Sequence, residues 1–251
     1  MGSTNTQAGI YATPRRVERF DDCNFYTSLD IPGVGSVEGS WDLRSGVDEY
    51  LGHVDFAGKR VLEIGPASGF LTFAMEHRGA GVVGVEMGDW RNYEFIPRPN
   101  LNVEELDLPP DKMLEKMTNG FWYAHRAFQS SSRVHYGTAY DLPDELGTFD
   151  ISTMGSVLLH NRDPLAIVQQ CAQRTEEKII VVDIRNPGLS GPIARLAPSV
   201  DNDTIDTWWT FTPEFFTQFL AVLGFPRSEV SFHEQLLFGK PWPLFTVVAS
   251  R

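Results

Sequence analysis

The chain has 251 residues, of which 42% are hydrophobic and 22% charged, enough for one large α/β domain with a continuous core or at most two small ones. Acidic residues outnumber basic ones 33 to 21, for a net charge of −12, which weighs against nucleic acid as a partner because its binders displace counterions with a basic face. No apolar run approaches the roughly 20 residues that cross a bilayer, which argues against a membrane partner.

Taken from the start, Met1 to Thr13 is polar, lacks an apolar signal core and reads as a loose tail, so a cytoplasmic location is expected. Arg15, Arg16 and Arg19 come nearest to a basic cluster. Cys23 and Cys171 make no CxxC pair and no zinc spacing, so they read as ordinary thiols in a reducing compartment. Region 1–57 reads as a tail and a lid preceding a main domain at 58–251.

From Gly58 onward strand and helix patterns alternate. Lys59–Ile64 (KRVLEI) is a short β-rich run ending at glycine, Phe70–Arg78 is helical by composition, and Gly81–Glu86 (GVVGVE) is a second strand. The segment 88–132 is too long for a plain crossover and reads as an insertion that could build a substrate pocket. Val134–Tyr136 and Phe149–Met154 follow as strands, then a helix over Pro164–Thr175 with Asp163 at its start, then the strand Lys178–Ile184. Thr212 is expected to cap a helix from Pro213 to Leu223 that ends at Gly224. Glu229–Leu237 and Leu244–Ser250 read as two strands joined by a Gly239–Pro243 turn. The predicted fold is α/β and Rossmann-like: a doubly wound, mostly parallel seven-stranded sheet with an antiparallel C-terminal hairpin.

The strongest chemical signal is Glu63-Ile64-Gly65-Pro66-Ala67-Ser68-Gly69. Here a strand ends in an acid, turns through Gly-x-x-x-Gly and enters a helix. Gly65 permits a sharp turn that brings backbone close to a ligand, and Gly69 lets the helix start close to the strand. Glu63 can accept from a cationic amino group. Glu86, with Met87 beside it, stands at the end of the next strand, where a carboxylate can take both hydroxyls of a ribose. A dinucleotide fold would want GxGxxG, but position 67 is Ala; a P-loop would want Gly-Lys-Ser/Thr, but Phe70 follows Gly69. A phosphate-free adenosyl cofactor, S-adenosylmethionine, suits this loop. Ala139 and Tyr140, after the third strand, are candidates to border the adenine. Met154 and Gly155 end the fourth strand, where donor and acceptor would meet.

With these pieces in place, the chain resembles the class I S-adenosylmethionine-dependent methyltransferases over about 58–251, and more narrowly the group related to tRNA wobble-uridine (carboxy)methyltransferases. The matching segments are Trp41–Arg44, Arg60–Phe73, Gly155–His160 with Arg162-Asp163-Pro164, and Thr207–Pro213. The resemblance implies methyl transfer from S-adenosylmethionine. Magnesium-dependent members carry acids at the tip of the fourth strand, where Met154, Gly155 and Ser156 stand here, so no metal ligand is expected. The Asn/Asp-Pro-Pro-aromatic motif of enzymes that methylate nucleic-acid amino groups is also missing after that strand.

His160 is the candidate general base, one helical turn beyond the strand-four loop. Phe121–Arg126 could line an aromatic pocket, although helical spacing favours core; Trp208 and Trp209 carry the same two readings. Arg44 and Trp41 could cover the cofactor from the N-terminal side. The charge balance favours a small-molecule acceptor methylated on oxygen or nitrogen. A tRNA-modifying enzyme and a non-catalytic cofactor-binding module are the competing expectations.

Overall fold

The computed structural model describes residues 9–106 and 109–251. In chain order the elements are β1 (Leu29–Ile31), β2 (Gly35–Val37), β3 (Trp41–Asp42), α1 (Val47–Tyr50), β4 (Arg60–Ile64), α2 (Phe70–His77), β5 (Gly81–Glu86) and α3 (Pro110–Ala127). There follow β6 (Arg133–Tyr136), β7 (Phe149–Gly155), α4 (Pro164–Arg174), β8 (Thr175–Ile184), β9 (Ala194–Leu196), β10 (Trp209–Phe211), α5 (Pro213–Val222), β11 (Arg227–Leu237) and β12 (Lys240–Ser250).

The main sheet has the order β3-β11-β12-β8-β7-β4-β5-β6. Strands β8, β7, β4, β5 and β6 run parallel, and β12 closes the sheet antiparallel to both β8 and β11. The seven expected strands are all present, and the two-residue β3 adds an eighth at the edge by pairing with Leu236 and Leu237. Strand order reverses between β4 and β7, so the carboxyl ends of β4, β5 and β7 open onto the crevice where ligands bind in doubly wound sheets.

Nearly unbroken apolar runs make the central strands, as expected where both faces are covered. On one face Leu62, Val83, Met154 and Val181 pack against Ile167, Val168 and Cys171 of α4 and Phe216 and Leu220 of α5. On the other, Val61, Val82, Ile151 and Ile180 meet Met75 of α2 and Tyr50 of α1. A third cluster joins Phe73 of α2 and Phe121, Trp122 and Ala124 of α3 to Val17, Phe25, Leu29 and Ile31 from the N-terminal segment. Burying each such large side chain contributes about 1.5–3 kcal/mol.

Several expectations change. Segment 88–132 contains the 18-residue helix α3, the ordinary crossover from β5 to β6, so the true excursion is the stretch before Pro110. Phe121 and Trp122 are 2% and 1% exposed, which makes that aromatic run core. Of the polar N-terminus, residues 1–8 lie outside the described residues; from Gly9 on, the chain is docked rather than loose. The Ala12 N–H donates to the Val134 carbonyl at 2.7 Å, and His135 Nδ1 meets the Ile10 carbonyl at 2.7 Å.

Strand β8 starts at Thr175, directly after α4, because the Thr175 hydroxyl is buried between the Ser152 hydroxyl and the Cys171 carbonyl. The hairpin turn is Phe238-Gly239, with φ of 48° and 71°, not Gly239–Pro243. Positive φ at both residues matches the twist of the flanking strands. Pro241 and Pro243 lie inside β12 but beyond Leu244, the last residue paired with β8, so no ladder bond to β8 is lost. Thr212 occupies the N-cap position of α5 without capping it: its hydroxyl donates to the Gly191 carbonyl at 2.6 Å and accepts from the Ile193 N–H at 3.0 Å. Asp163 does cap α4, accepting from the Ala166 N–H at 3.1 Å.

Candidate functional site

The bend after β4 is built from alternating left-handed residues: Gly65 at φ 73°, Ala67 at 50° and Gly69 at 93°. A Cβ on Gly69 would stand 2.5 Å from the Phe73 ring and 3.0 Å from Phe121, and one on Gly65 would stand 3.1 Å from Val157. Ala67 pays the usual left-handed penalty of roughly 1–2 kcal/mol. Its conformation aims its N–H at Glu86 Oε2, 2.9 Å away. Glu86 Oε1 accepts the Met87 N–H at 2.8 Å. Each carboxylate oxygen therefore holds one backbone donor and keeps a lone pair for another. Glu86 is half-buried; burial raises its pKa, and the two N–H bonds pull it back.

Glu63 lies deeper, 2% exposed, and accepts from the Thr72 hydroxyl of α2. Burial pushes its carboxyl up to about 8, with the Thr72 bond opposing and the Glu86 and Glu76 charges adding to the rise. Pro66 is buried on Gly84 of β5, where an added Cβ would come within 2.9 Å of the proline ring. Ser68 is fully buried with its hydroxyl turned to the N-terminal segment, accepting from Tyr26 N–H at 3.0 Å and Thr27 N–H at 3.4 Å. That contact seats residues of the N-terminal segment directly on the glycine bend.

At the tip of β7 Met154 is fully buried in the core, so the first residue of the tip that reaches the surface is Gly155. Gly155 is partly exposed beneath the Tyr50 hydroxyl, which would lie 2.9 Å from an added Cβ. Tyr50 hydrogen-bonds the Ser156 hydroxyl at 3.2 Å. Ala139 and Tyr140 pack partly buried on the core after β6, and the Tyr140 hydroxyl donates to Glu94 Oε2 at 2.6 Å.

Glu94 belongs to a roof made by the stretch before α3 and the residues after β9. The Trp208 indole donates to the Glu94 carbonyl at 2.5 Å, Ile96 N–H to the Ile205 carbonyl at 2.8 Å, and Trp208 N–H to the Leu159 carbonyl at 2.8 Å. Tyr93 donates to Asp206 Oδ2 at 3.2 Å. His160 Nδ1 lies 3.0 Å from the Asp206 carbonyl. A carbonyl only accepts, so Nδ1 carries a proton, and in the neutral imidazole the lone pair is on Nε2. Trp209 points its indole N–H at the Asn161 carbonyl, 3.0 Å away.

Arg44 is held by Asp42, Asp30 and Glu38 and donates to Ser36 at 2.5 Å, which gives it a structural role within the N-terminal segment. Trp41 is 7% exposed and donates to the Tyr26 hydroxyl at 3.3 Å. Tyr26, Tyr50, Tyr93 and Asp206 had no local sequence signal. They join the site through bonds between residues up to 113 positions apart.

No protein-family model matches the chain. It is 30% identical over 115 residues to the ubiquinone biosynthesis O-methyltransferase of Psychrobacter arcticus, covering 46% of this chain and 36% of that protein. It is 29% identical over 120 residues to the enzyme of the same name from Stutzerimonas stutzeri, covering 48% of this chain and 41% of that one. The chain thus matches these curated relatives over well under half of their length. Among solved structures, the N-terminal domain of EvdMO1 with S-adenosylhomocysteine bound aligns with a TM-score of 0.55 at 18% identity, over 89% of this chain and 90% of that one. The 1,6-didemethyltoxoflavin N1-methyltransferase of Burkholderia thailandensis aligns with a TM-score of 0.55 at 13% identity, over 83% and 77% of the two chains. These likenesses establish a Rossmann-like α/β methyltransferase fold.

Proposed function

We propose that the chain is an S-adenosylmethionine-dependent methyltransferase acting on oxygen or nitrogen of a small-molecule acceptor. The observation that carries this reading is the Glu86 carboxylate at the tip of β5, bonded to the Ala67 N–H of the bend and retaining acceptor capacity on both oxygens. A ribose presents two adjacent hydroxyls that such a carboxylate accepts. Glu63 would answer the ammonium of the methionyl group, with the backbone of residues 65–68 along the chain between them. Ala139 and Tyr140 would border the adenine, and Gly155, next to the enclosed Met154, would offer backbone at the reacting end. A bend without lysine suits a ligand without phosphate.

When bound, the cofactor supplies a methyl group on a sulfonium, open to in-line attack. The protein's task is to align the acceptor and remove its proton. His160 Nε2 has the free lone pair for that proton, which would leave the imidazolium facing the Asp206 carboxylate, 3.9 Å from Nδ1. No step in this scheme uses a metal.

The activity of the curated relatives, O-methylation in ubiquinone biosynthesis, supports a small acceptor. A tRNA acceptor of the wobble-uridine kind is the weaker reading. The net charge is −12, and two of the three arginines nearest to a basic cluster are engaged by acids, Arg16 by Glu18 at 2.6 Å and Arg19 by Asp21 at 3.6 Å. A non-catalytic module is separated by turnover. Incubation with methyl-labelled S-adenosylmethionine and a small-metabolite extract is expected to yield labelled small molecules. Cofactor binding without any labelled product would favour the module, and label in tRNA alone would favour the second enzyme.

A further inference from the structure

We propose that Asp206 is the residue that anchors the methyl acceptor, that Tyr93 positions it, and that the acceptor carries an ammonium or hydroxyl donor rather than an anion. The assignment rests on the methyltransferase reading and adds the acceptor's chemistry to it.

The Asp206 side chain is about one-third exposed and its bonding partners are neutral. Oδ2 accepts from the Tyr93 hydroxyl at 3.2 Å, and Oδ1 accepts from the Thr207 hydroxyl at 3.3 Å. His160 is the nearest basic group, with Nδ1 at 3.9 Å from Oδ1 and bonded to the Asp206 carbonyl. Asp206 therefore stands beside the candidate base, in the roof over the β7 tip.

Its surroundings connect it to the cofactor side. Burial, and then the Asp206 carboxylate, hold the Tyr93 hydroxyl well above the usual phenol range, and the Tyr26 and Glu86 groups add to the rise. Tyr26, which sits on the glycine bend through Ser68, is raised chiefly by desolvation, with the Asp206 charge contributing. Tyr93 thus lies in the field of both the ribose carboxylate and Asp206.

The nearby cations are engaged elsewhere. Arg98 donates to the Thr204 carbonyl at 2.9 Å and to Asn202 at 2.9 Å. Arg162 stacks 4.8 Å over Trp208 and faces Glu94 at 4.0 Å, and Arg91 pairs with Asp89 at 2.9 Å. Among the described residues the roof thus presents a carboxylate with no lysine or arginine paired to it, His160 being the one basic group within 4 Å. Desolvating an anionic acceptor beside it would be costly, whereas an ammonium or hydroxyl gains a charge-assisted bond.

The test uses the full chain loaded with S-adenosylhomocysteine and three probes of one shape: benzylamine, benzyl alcohol and benzoate. Saturation-transfer NMR is expected to rank benzylamine first, benzyl alcohol second and benzoate last. Asp206→Asn is expected to weaken benzylamine about tenfold, the scale of one charge-assisted bond. Tyr93→Phe is expected to weaken it less. Neither change should move S-adenosylhomocysteine affinity. Equal signals from the three probes, no signal from any, or an amine preference that survives Asp206→Asn overturns the assignment. Failure to load with S-adenosylhomocysteine brings down the methyltransferase reading beneath it, a separately visible result.

Discussion

Glu86 Oε2 accepts the Ala67 N–H at 2.9 Å, tying the tip of β5 to the one non-glycine residue that the bend after β4 holds in the left-handed region. The same carboxylate is thus part of the loop's scaffold and the proposed ribose acceptor. Glu86→Gln keeps the shape but offers one accepting oxygen where two are needed. Its affinity for S-adenosylhomocysteine is expected to fall about 10- to 100-fold. Equilibrium titration of the variant against the parent chain checks this, and an unchanged affinity would remove Glu86 from the cofactor site.

Glu63 links stability to pH. Its carboxyl is pushed up to about 8 by burial, from an ordinary 4.5. Between those values the folded chain holds a proton that the unfolded chain has released, so stability falls as pH rises through the window and levels off above it. Urea denaturation from about pH 5 to about pH 8 is expected to show a decline that Glu63→Gln makes shallower, the buried Asp183 carboxyl, raised to about 7, supplying part of the remainder. A ligand ammonium beside Glu63 favours the carboxylate, so binding below that upper value is expected to release a proton. Titrations in buffers of different ionisation heat read that proton directly.

Gly69 carries a stability prediction. Gly69→Ala places a methyl 2.5 Å from Phe73 at a φ of 93°. Left-handed strain and overpacking together are expected to cost about 2–5 kcal/mol. The change should appear as a lower urea midpoint with an unaltered slope.

His160 is expected to act on the chemical step alone. His160→Ala should slow single-turnover methyl transfer by about 10²- to 10⁴-fold, the range for a positioned base, with S-adenosylhomocysteine affinity intact. A transfer rate equal to the parent's would return His160 to a packing role against the Asp206 carbonyl.

Much of the frame was legible because it is local. The acid, the glycine bend and β5 with Glu86 at its end follow from residues within one βαβ unit, and the structure places them where the pattern puts them. The misplaced boundaries have non-local causes. Pro241 and Pro243 read as turn residues, yet they sit in a strand whose neighbour β8 has already ended. The polar start of β8 is held by the buried Thr175–Ser152 hydroxyl pair, which no window of sequence displays. Thr212 looks like a helix cap, but the chain near Gly191 and Ile193 takes its hydroxyl. The roof was the least legible part. Tyr93 and Asp206 meet across 113 positions, and neither stands in a motif.

The most direct test is an isothermal titration of the full chain with S-adenosylhomocysteine, run beside a nucleoside diphosphate. The expected result is saturable single-site heat for S-adenosylhomocysteine and none for the diphosphate. Heat for the diphosphate alone, or silence from both S-adenosylhomocysteine and S-adenosylmethionine, would contradict an adenosyl cofactor at the Glu86–Ala67 junction.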